Sequence, residues 1–179
     1  AVDRSREFQL SAGTSQVKLW AIERLLQDFN GRPEAEEILL TIVSRIGLAS
    51  EKLAVLEQIF AESGLDSTRL EAGWLLIDWR FEVLFRQCRW SYNSRVFDGE
   101  YSKLEGLLAQ FDRLTGRPPI NLVSATSKKI QQLQGEVEQM ETRANREVRS
   151  LPEFQDRQRA AKKLVKRMTE FAKKHQLEE

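Results

Sequence analysis

Apolar residues recur at helical spacing along almost the whole of this 179-residue chain. Near the N-terminus Val17, Trp20, Ile22, Leu25, Leu26 and Phe29 follow steps of three and four once overlapping pairs are allowed, and Asn30-Gly31 stops the pattern. Pro33 suits the first turn of a second helix, and Glu34, Glu36 and Glu37 complement the positive end of its dipole. That helix carries Ile38, Leu39, Ile42, Val43 and Ile46 and ends at Gly47. The β-branched cluster at 40–43 resembles a strand, but its flanking charges and glycine stop favour a helix. A third helix runs from near Ser50 to Ser63-Gly64 and buries Leu53, Leu56, Ile59 and Phe60.

The fourth predicted helix is the most apolar. Thr68 and Glu71 have capping-box spacing. Leu70, Trp74, Ile77, Phe81, Leu84 and Cys88 then follow steps of 4, 3, 4, 3 and 4, with Leu76, Trp79, Val83 and Trp90 on other sides. Of the 21 residues from Leu70 to Trp90, 13 are hydrophobic, so this helix has to be surrounded. A loop is expected around Asn93 and Phe97-Asp98-Gly99, followed by a fifth helix with Tyr101, Leu104, Leu107, Leu108, Phe111 and Leu114.

Gly116-Arg117-Pro118-Pro119 interrupts the helices, because adjacent prolines do not fit a helix interior. Beyond it Ile130, Leu133, Val137, Met140 and Ala144 repeat at steps of 3, 4, 3 and 4. Phe154, Ala161, Leu164, Met168 and Phe171 keep the same phase after Pro152, with Arg157 and His175 in the seam. The segments 127–149 and 153–175 each hold 23 residues, roughly 35 Å of helix. Equal lengths about a Ser-Leu-Pro break predict an antiparallel hairpin, with a single kinked helix as the alternative. Ser150 and Glu153 read as a capping box, although Pro152 disfavours helical geometry at Leu151. Gly135 weakens the first arm by about 1 kcal/mol relative to Ala.

The expected fold is therefore all-α. A weakly anchored segment 1–13 precedes a bundle of about five helices at 14–116, a proline-containing hinge at 117–126, and a coiled-coil-like antiparallel helical hairpin at 127–179.

Composition narrows the chemistry. Charged residues make up 31% and hydrophobic ones 41%, which excludes wholesale disorder, and a net charge of +1 argues against a whole-molecule polyanion binder. One Cys cannot form an internal disulfide, which suits a reducing, cytoplasmic setting. One His and one Cys would leave zinc almost all carboxylate ligands, so no metal site and no cofactor are expected. The longest uncharged runs, such as 8–17, are about half the roughly 20 residues of a membrane span. A chain that opens on Ala1 reads as a processed form or a piece of something longer.

Charge is unevenly placed. Residues 126–179 carry +4 and residues 1–125 carry −3. In the last helix Arg159, Lys162, Lys163, Lys166 and Lys173 share the outer face, a candidate partner-binding surface for an acidic protein or nucleic acid. A second candidate is the segment that interleaves arginine with aromatics: Arg86, Arg89, Trp90, Tyr92 and Asn93, with Arg86, Arg89 and Asn93 on one face if the helix extends that far. The same pattern also describes core aromatics with arginines paired to Asp78, Glu82 or Asp98.

Catalytic arrangements are sparse. His175 sits near a chain end and reads as a polar residue of the last turn; Cys88 reads as a small buried hydrophobe. Glu34 with Glu37, and Asp78 with Glu82, each place two carboxylates on one helical face, the residue set of a magnesium-dependent phosphate hydrolase. No glycine-rich phosphate loop accompanies them. The expectation is a non-enzymatic interaction protein: an adaptor, an assembly factor or a structural subunit of a complex. Its partner is another protein, or a second copy met through the C-terminal hairpin. The alternatives are a nucleic-acid-binding accessory protein and the magnesium hydrolase. No membrane span and no small-molecule ligand are expected.

Overall fold

The computed structural model describes the backbone of residues 15–146 and 152–176, and the side chains of 17–143 and 154–176. Among the described residues every regular element is a helix, so the all-α expectation holds. The expectations for segment 1–13 and for the Ser150/Glu153 cap lie outside the described residues. The helices are α1 (Ser15–Asp28), α2 (Pro33–Ser44), α3 (Ala49–Glu62), α4 (Asp66–Trp90), α5 (Ser94–Asp112), α6 (Ile120–Arg146) and α7 (Pro152–Gln176). The chain forms two compact units, Ala1–Leu76 with Leu114–Gly116, and Ile77–Arg113 with Arg117–Glu179.

In the first unit α1, α2 and α3 pack on one another. Ile22 and Leu26 of α1, Leu39 and Val43 of α2, and Leu56, Ile59 and Phe60 of α3 are all buried. Trp20 and Phe29, expected in the apolar stripe, are 61% and 43% exposed. Trp20 lies two residues before Ile22, about 200° around the helix, with the Arg24 guanidinium 5.9 Å from its ring. Phe29 falls beyond the end of α1, beneath Arg32 at 5.5 Å. Ile38 is 50% exposed, one position off the buried Leu39 line.

Two polar clusters hold the turns of this unit. Gly31 adopts φ +82°, a left-handed turn that glycine accepts without strain, and Pro33 opens α2 behind an extended Arg32. The Glu36 carboxylate, only 2% exposed, accepts from Ser63 Oγ at 2.6 Å and from the Gly31 N–H at 3.3 Å. Asn30 accepts from the Gly64 N–H at 2.5 Å and donates to the Glu62 carbonyl at 2.9 Å. The turn after α1 and the turn after α3 are thus bonded together.

The second cluster sits at the start of α4, which begins at Asp66 rather than at a Thr68 cap; Thr68 is buried within the helix. The Asp66 carboxylate accepts from Thr115 Oγ1 at 2.6 Å and from the Thr115 N–H at 3.1 Å. These two donors hold its pKa below the ordinary 3.8. Gly116 follows at φ +106°.

The second unit is laced by pairings between its helices. Those of α6 with α7 are Glu141–Lys162, Gln134–Thr169 and Ser127–Gln176, in which one number falls by seven as the other rises by seven. Between α5 and α7 they keep one offset instead: Tyr101–Lys163, Glu105–Arg167 and Asp112–Lys174. The later part of α4 joins α6 through Asp78–Lys129 and Arg89–Glu136, and α5 through Arg80–Glu100. The apolar seam residues Ile130, Val137, Ala161, Leu164, Met168 and Phe171 are buried, with Leu133 and Met140 half-buried.

Several sequence expectations are corrected here. The segment Phe97-Asp98-Gly99 is helical, because α5 starts at Ser94: Asn93 Oδ1 caps it, accepting from the N–H groups of Arg95 and Val96 at 3.0 and 3.2 Å. Phe97 is buried, its ring 5.7 Å from that of Tyr101. Helix α6 begins at Ile120, directly after the prolines, so most of the stretch expected as a hinge is helix; Pro119 occupies the turn before it, where a missing N–H costs nothing. Phe154, expected inward, is 47% exposed.

Two glycines behave oppositely when given a side chain. A Cβ at Gly64 would lie 3.0 Å from Asn30 Oδ1 and 3.1 Å from the Gly31 backbone, so Gly64→Ala destabilises the first unit. Gly106 lies inside α5 with nothing within 4 Å of such a Cβ, so Gly106→Ala stabilises by about 0.5–1 kcal/mol. Urea denaturation of both variants checks the opposite signs. Asp66 gives a third expectation. Its folded pKa is depressed, so its stabilisation is present above pH 3.8 and is lost as pH falls through the folded value. Thr115→Val returns the Asp66 titration toward 3.8, readable by carboxyl-carbon NMR.

Candidate functional site

Helix α7 sorts its cations by position. Those on its flanks meet carboxylates of neighbouring helices: Arg167 reaches Glu105 at 2.8 Å, Lys174 reaches Asp112 at 3.2 Å, and Lys162 stands 3.8 Å from Glu141. The outermost positions are Arg159, Lys163, Lys166 and Lys173, all exposed. Arg159 has only Asp156 on its own helix, at 3.9 Å, and Lys163 lies over the Tyr101 ring at 4.3 Å. Spaced at seven, residues 159, 166 and 173 form one row about 21 Å long. Of the five positions expected on the basic face, Lys162 alone is tied by an ion pair to another helix.

Tyr101 shows how tightly the α5–α7 contact is made. Burial chiefly, then the charge and hydrogen bond of Glu105, push its phenol up to about 12, against the opposing charge of Arg167. His175 closes the far end of the same contact. Its imidazole packs edge-on against Phe111 and Phe171, with ring centroids 5.2 and 4.7 Å away, and Nε2 lies 3.6 Å from Asp112 Oδ1.

The paired carboxylates of α4 face α6. Lys129 donates to Asp78 at 2.7 Å and to Glu82 at 3.4 Å, while Thr126 donates to Asp78 at 2.8 Å. Burial works against the Lys129 charge, but its bonds to Asp78 and the two carboxylate charges outweigh that and hold its pKa above 10.5. Arg86 completes the group, 2.7 Å from Glu82. Sequence spacing identified the two acids; their main partner is 51 and 47 residues away, and no local signal points to it. Arg80 pairs with Glu100 at 3.1 Å. Among the described residues no three His, Cys, Asp or Glu side chains cluster as metal ligands would. Glu34 and Glu37 are both exposed on α2.

The arginine–aromatic segment is divided by the end of α4 at Trp90. Asn93 therefore leaves the face shared by Arg86 and Arg89 and becomes the α5 cap. Arg89 pairs with Glu136 at 2.8 Å and lies 5.0 Å from the Trp90 ring. Trp90 itself is 72% exposed. Cys88 is fully buried, and burial pushes its thiol up to about 12.

Tyr92 and Asn93 instead line an open cleft of about 520 Å³ with Ser94 and Arg95, closed on the other side by Phe154, Asp156 and Arg157 of α7. The Arg157 guanidinium lies 5.5 Å from the Phe154 ring centroid. Tyr92 is half-buried, and burial, then the charges of Asp156, Asp98 and Cys88, raise its pKa. The sequence marked Tyr92 and Asn93; it gave no reason to join them to residues some 60 positions away. No helix among the described residues is long and apolar enough to cross a membrane. No protein-family model, no curated protein and no solved structure matches this chain.

Two measurements test these contacts. Lys129→Met leaves Asp78 and Glu82 without the partner they share and lowers unfolding free energy by about 1–2 kcal/mol, a low-end value because the site is partly solvated. Denaturant titration reads it. The Tyr101 phenol stays protonated well above pH 10 and ionises near pH 12, so its stabilising contribution is lost as pH rises through that range. Glu105→Gln brings the ionisation down toward 10, followed by phenolate absorbance.

Proposed function

We propose that this chain is a non-enzymatic protein–protein interaction module, acting as an adaptor, an assembly factor or a structural subunit of a larger complex. In this reading α6 and α7 form a coiled-coil-like antiparallel hairpin whose outer face meets the partner. The observation that carries the proposal is the exposed row Arg159, Lys166 and Lys173, with Lys163 beside it, left over after Lys162, Arg167 and Lys174 have met carboxylates of α5 and α6. A face of this sign suits an acidic protein surface. The buried, unpaired Cys88 fits a reducing intracellular setting, which we assign as cytoplasmic.

Nucleic acid is the second reading, because the same cations suit phosphates. Glu170 speaks against it. Four residues after Lys166 and three before Lys173, it places an exposed carboxylate among the cations, where a phosphate backbone would be repelled. A protein partner can offer a basic residue at that point, so Glu170 sets register.

The test uses the full chain and a Lys166→Glu/Lys173→Glu variant, titrated with a glutamate-rich amphipathic helical peptide and with short DNA and RNA. Binding of the peptide at about 0.15 M salt, weakened at least tenfold in the variant, is the expected result. DNA or RNA binding that falls steeply with salt would favour the second reading. Light scattering on the chain alone separates a foreign partner from a second copy.

A further inference from the structure

We propose that the cleft between the α4–α5 connection and the first turns of α7 receives an acidic, aromatic-bearing segment of the partner protein, with Arg95 and Arg157 taking its carboxylate. The inference rests on the interaction-module reading and assigns it a specific pocket, separate from the cationic row on α7.

The volume of about 520 Å³ lies in the range where ligand sites occur, roughly 300–1,000 Å³. Its chemistry favours an anion. Among the described residues neither Arg95 nor Arg157 forms an ion pair, although every other arginine on α4 and α7 described above does. Arg157 is pre-oriented by its 5.5 Å approach to the Phe154 ring, and a guanidinium over an aromatic ring keeps its planar fork of N–H donors. That is the geometry a carboxylate meets bidentately. Asn93 commits Oδ1 to the α5 cap, so what it offers the cleft is its amide N–H pair.

Asp156 decides between anions. A single carboxylate beside two guanidinium groups disfavours a doubly charged phosphate more than a singly charged carboxylate, and it can accept a peptide N–H. The walls supply the rest. Phe154 is 47% exposed and Tyr92 half-buried, so an aromatic side chain next to the acid has two rings to cover. Arginine, tyrosine and exposed tryptophan are also the residues that concentrate binding energy at protein interfaces, and Trp90 stands two positions before Tyr92.

The experiment is an amide NMR titration of the full chain with a capped hexapeptide of alternating Asp and Phe, its Asn–Phe counterpart, and inorganic phosphate. The expected result is that the Asp–Phe peptide shifts residues 92–95 and 154–157. Its affinity falls about tenfold in Arg157→Gln and in Arg95→Gln, and similarly when Asp becomes Asn. Arg95 is exposed, so Arg95→Gln carries the test if Arg157→Gln lowers the melting temperature. Shifts elsewhere, equal affinity for the Asn–Phe peptide, unchanged binding in both variants, or phosphate binding as tight as the peptide would each overturn the assignment. The Lys166→Glu/Lys173→Glu variant keeps its affinity for the Asp–Phe peptide, so failure of the α7 row and failure of the cleft are separate results.

Discussion

A helix that is apolar around most of its circumference must be covered on nearly every side, and α4 imposes that requirement on this chain. Leu70, Ala72, Trp74 and Leu76 of its first part are buried, and so are Ile77, Phe81, Leu84, Phe85 and Cys88 of its second. At roughly 25 cal/mol per Å² of apolar surface, leaving any one large side chain of this set in water forgoes about 2–3 kcal/mol. The first set belongs to the unit with α1–α3, and the second to the unit with α5, α6 and α7. Each unit thus receives a share of one helix whose exposed positions before Trp90, such as Arg86 and Arg89, are few.

Polar groups then decide alignment, which apolar burial alone leaves degenerate. In the first unit the nearly inaccessible Glu36 carboxylate has two donors from two different turns, Ser63 and Gly31, and no other spacing of those turns satisfies both. In the second, Lys129 bonded to Asp78 and Glu82 fixes the register of α6 on α4. Individually such partly exposed pairs contribute little stability. Their effect is to penalise every slip that would strand a half-buried charge.

Among the described residues the helices were legible in the chain because three-and-four spacing is a local property, written in residues such as Leu70, Trp74 and Ile77. What the pattern hid was equally physical. Trp20 and Phe154 are apolar and in helical phase, yet periodicity cannot say which side of a helix has a neighbour. Phe97-Asp98-Gly99 looked like a loop because glycine and aspartate are poor helix formers, and the Asn93 cap outweighed them. The prolines at 118 and 119 signalled a break that is real, but α6 starts in their wake at Ile120. For the candidate sites the sequence supplied the residues and withheld their company. Lys162 looked equivalent to Lys166 until Glu141 was found beside it, and Tyr92 had no visible link to Phe154 and Arg157.

That company changes what the cations can do. A charge already facing a carboxylate at 2.8 Å, as Arg167 faces Glu105, offers an incoming acid little beyond exchange of one partner for another. A charge on the outer row acts mainly at a distance, raising encounter rates with an acidic surface while salt and water keep its contribution to affinity small. A guanidinium held on a ring inside a cleft is different again, since its solvation is already reduced and its orientation restricted before any partner arrives. On the proposed reading, then, α7 divides the work of recognition along its length. Its exposed lysines attract, and its first turns, with Arg157 and Phe154, discriminate.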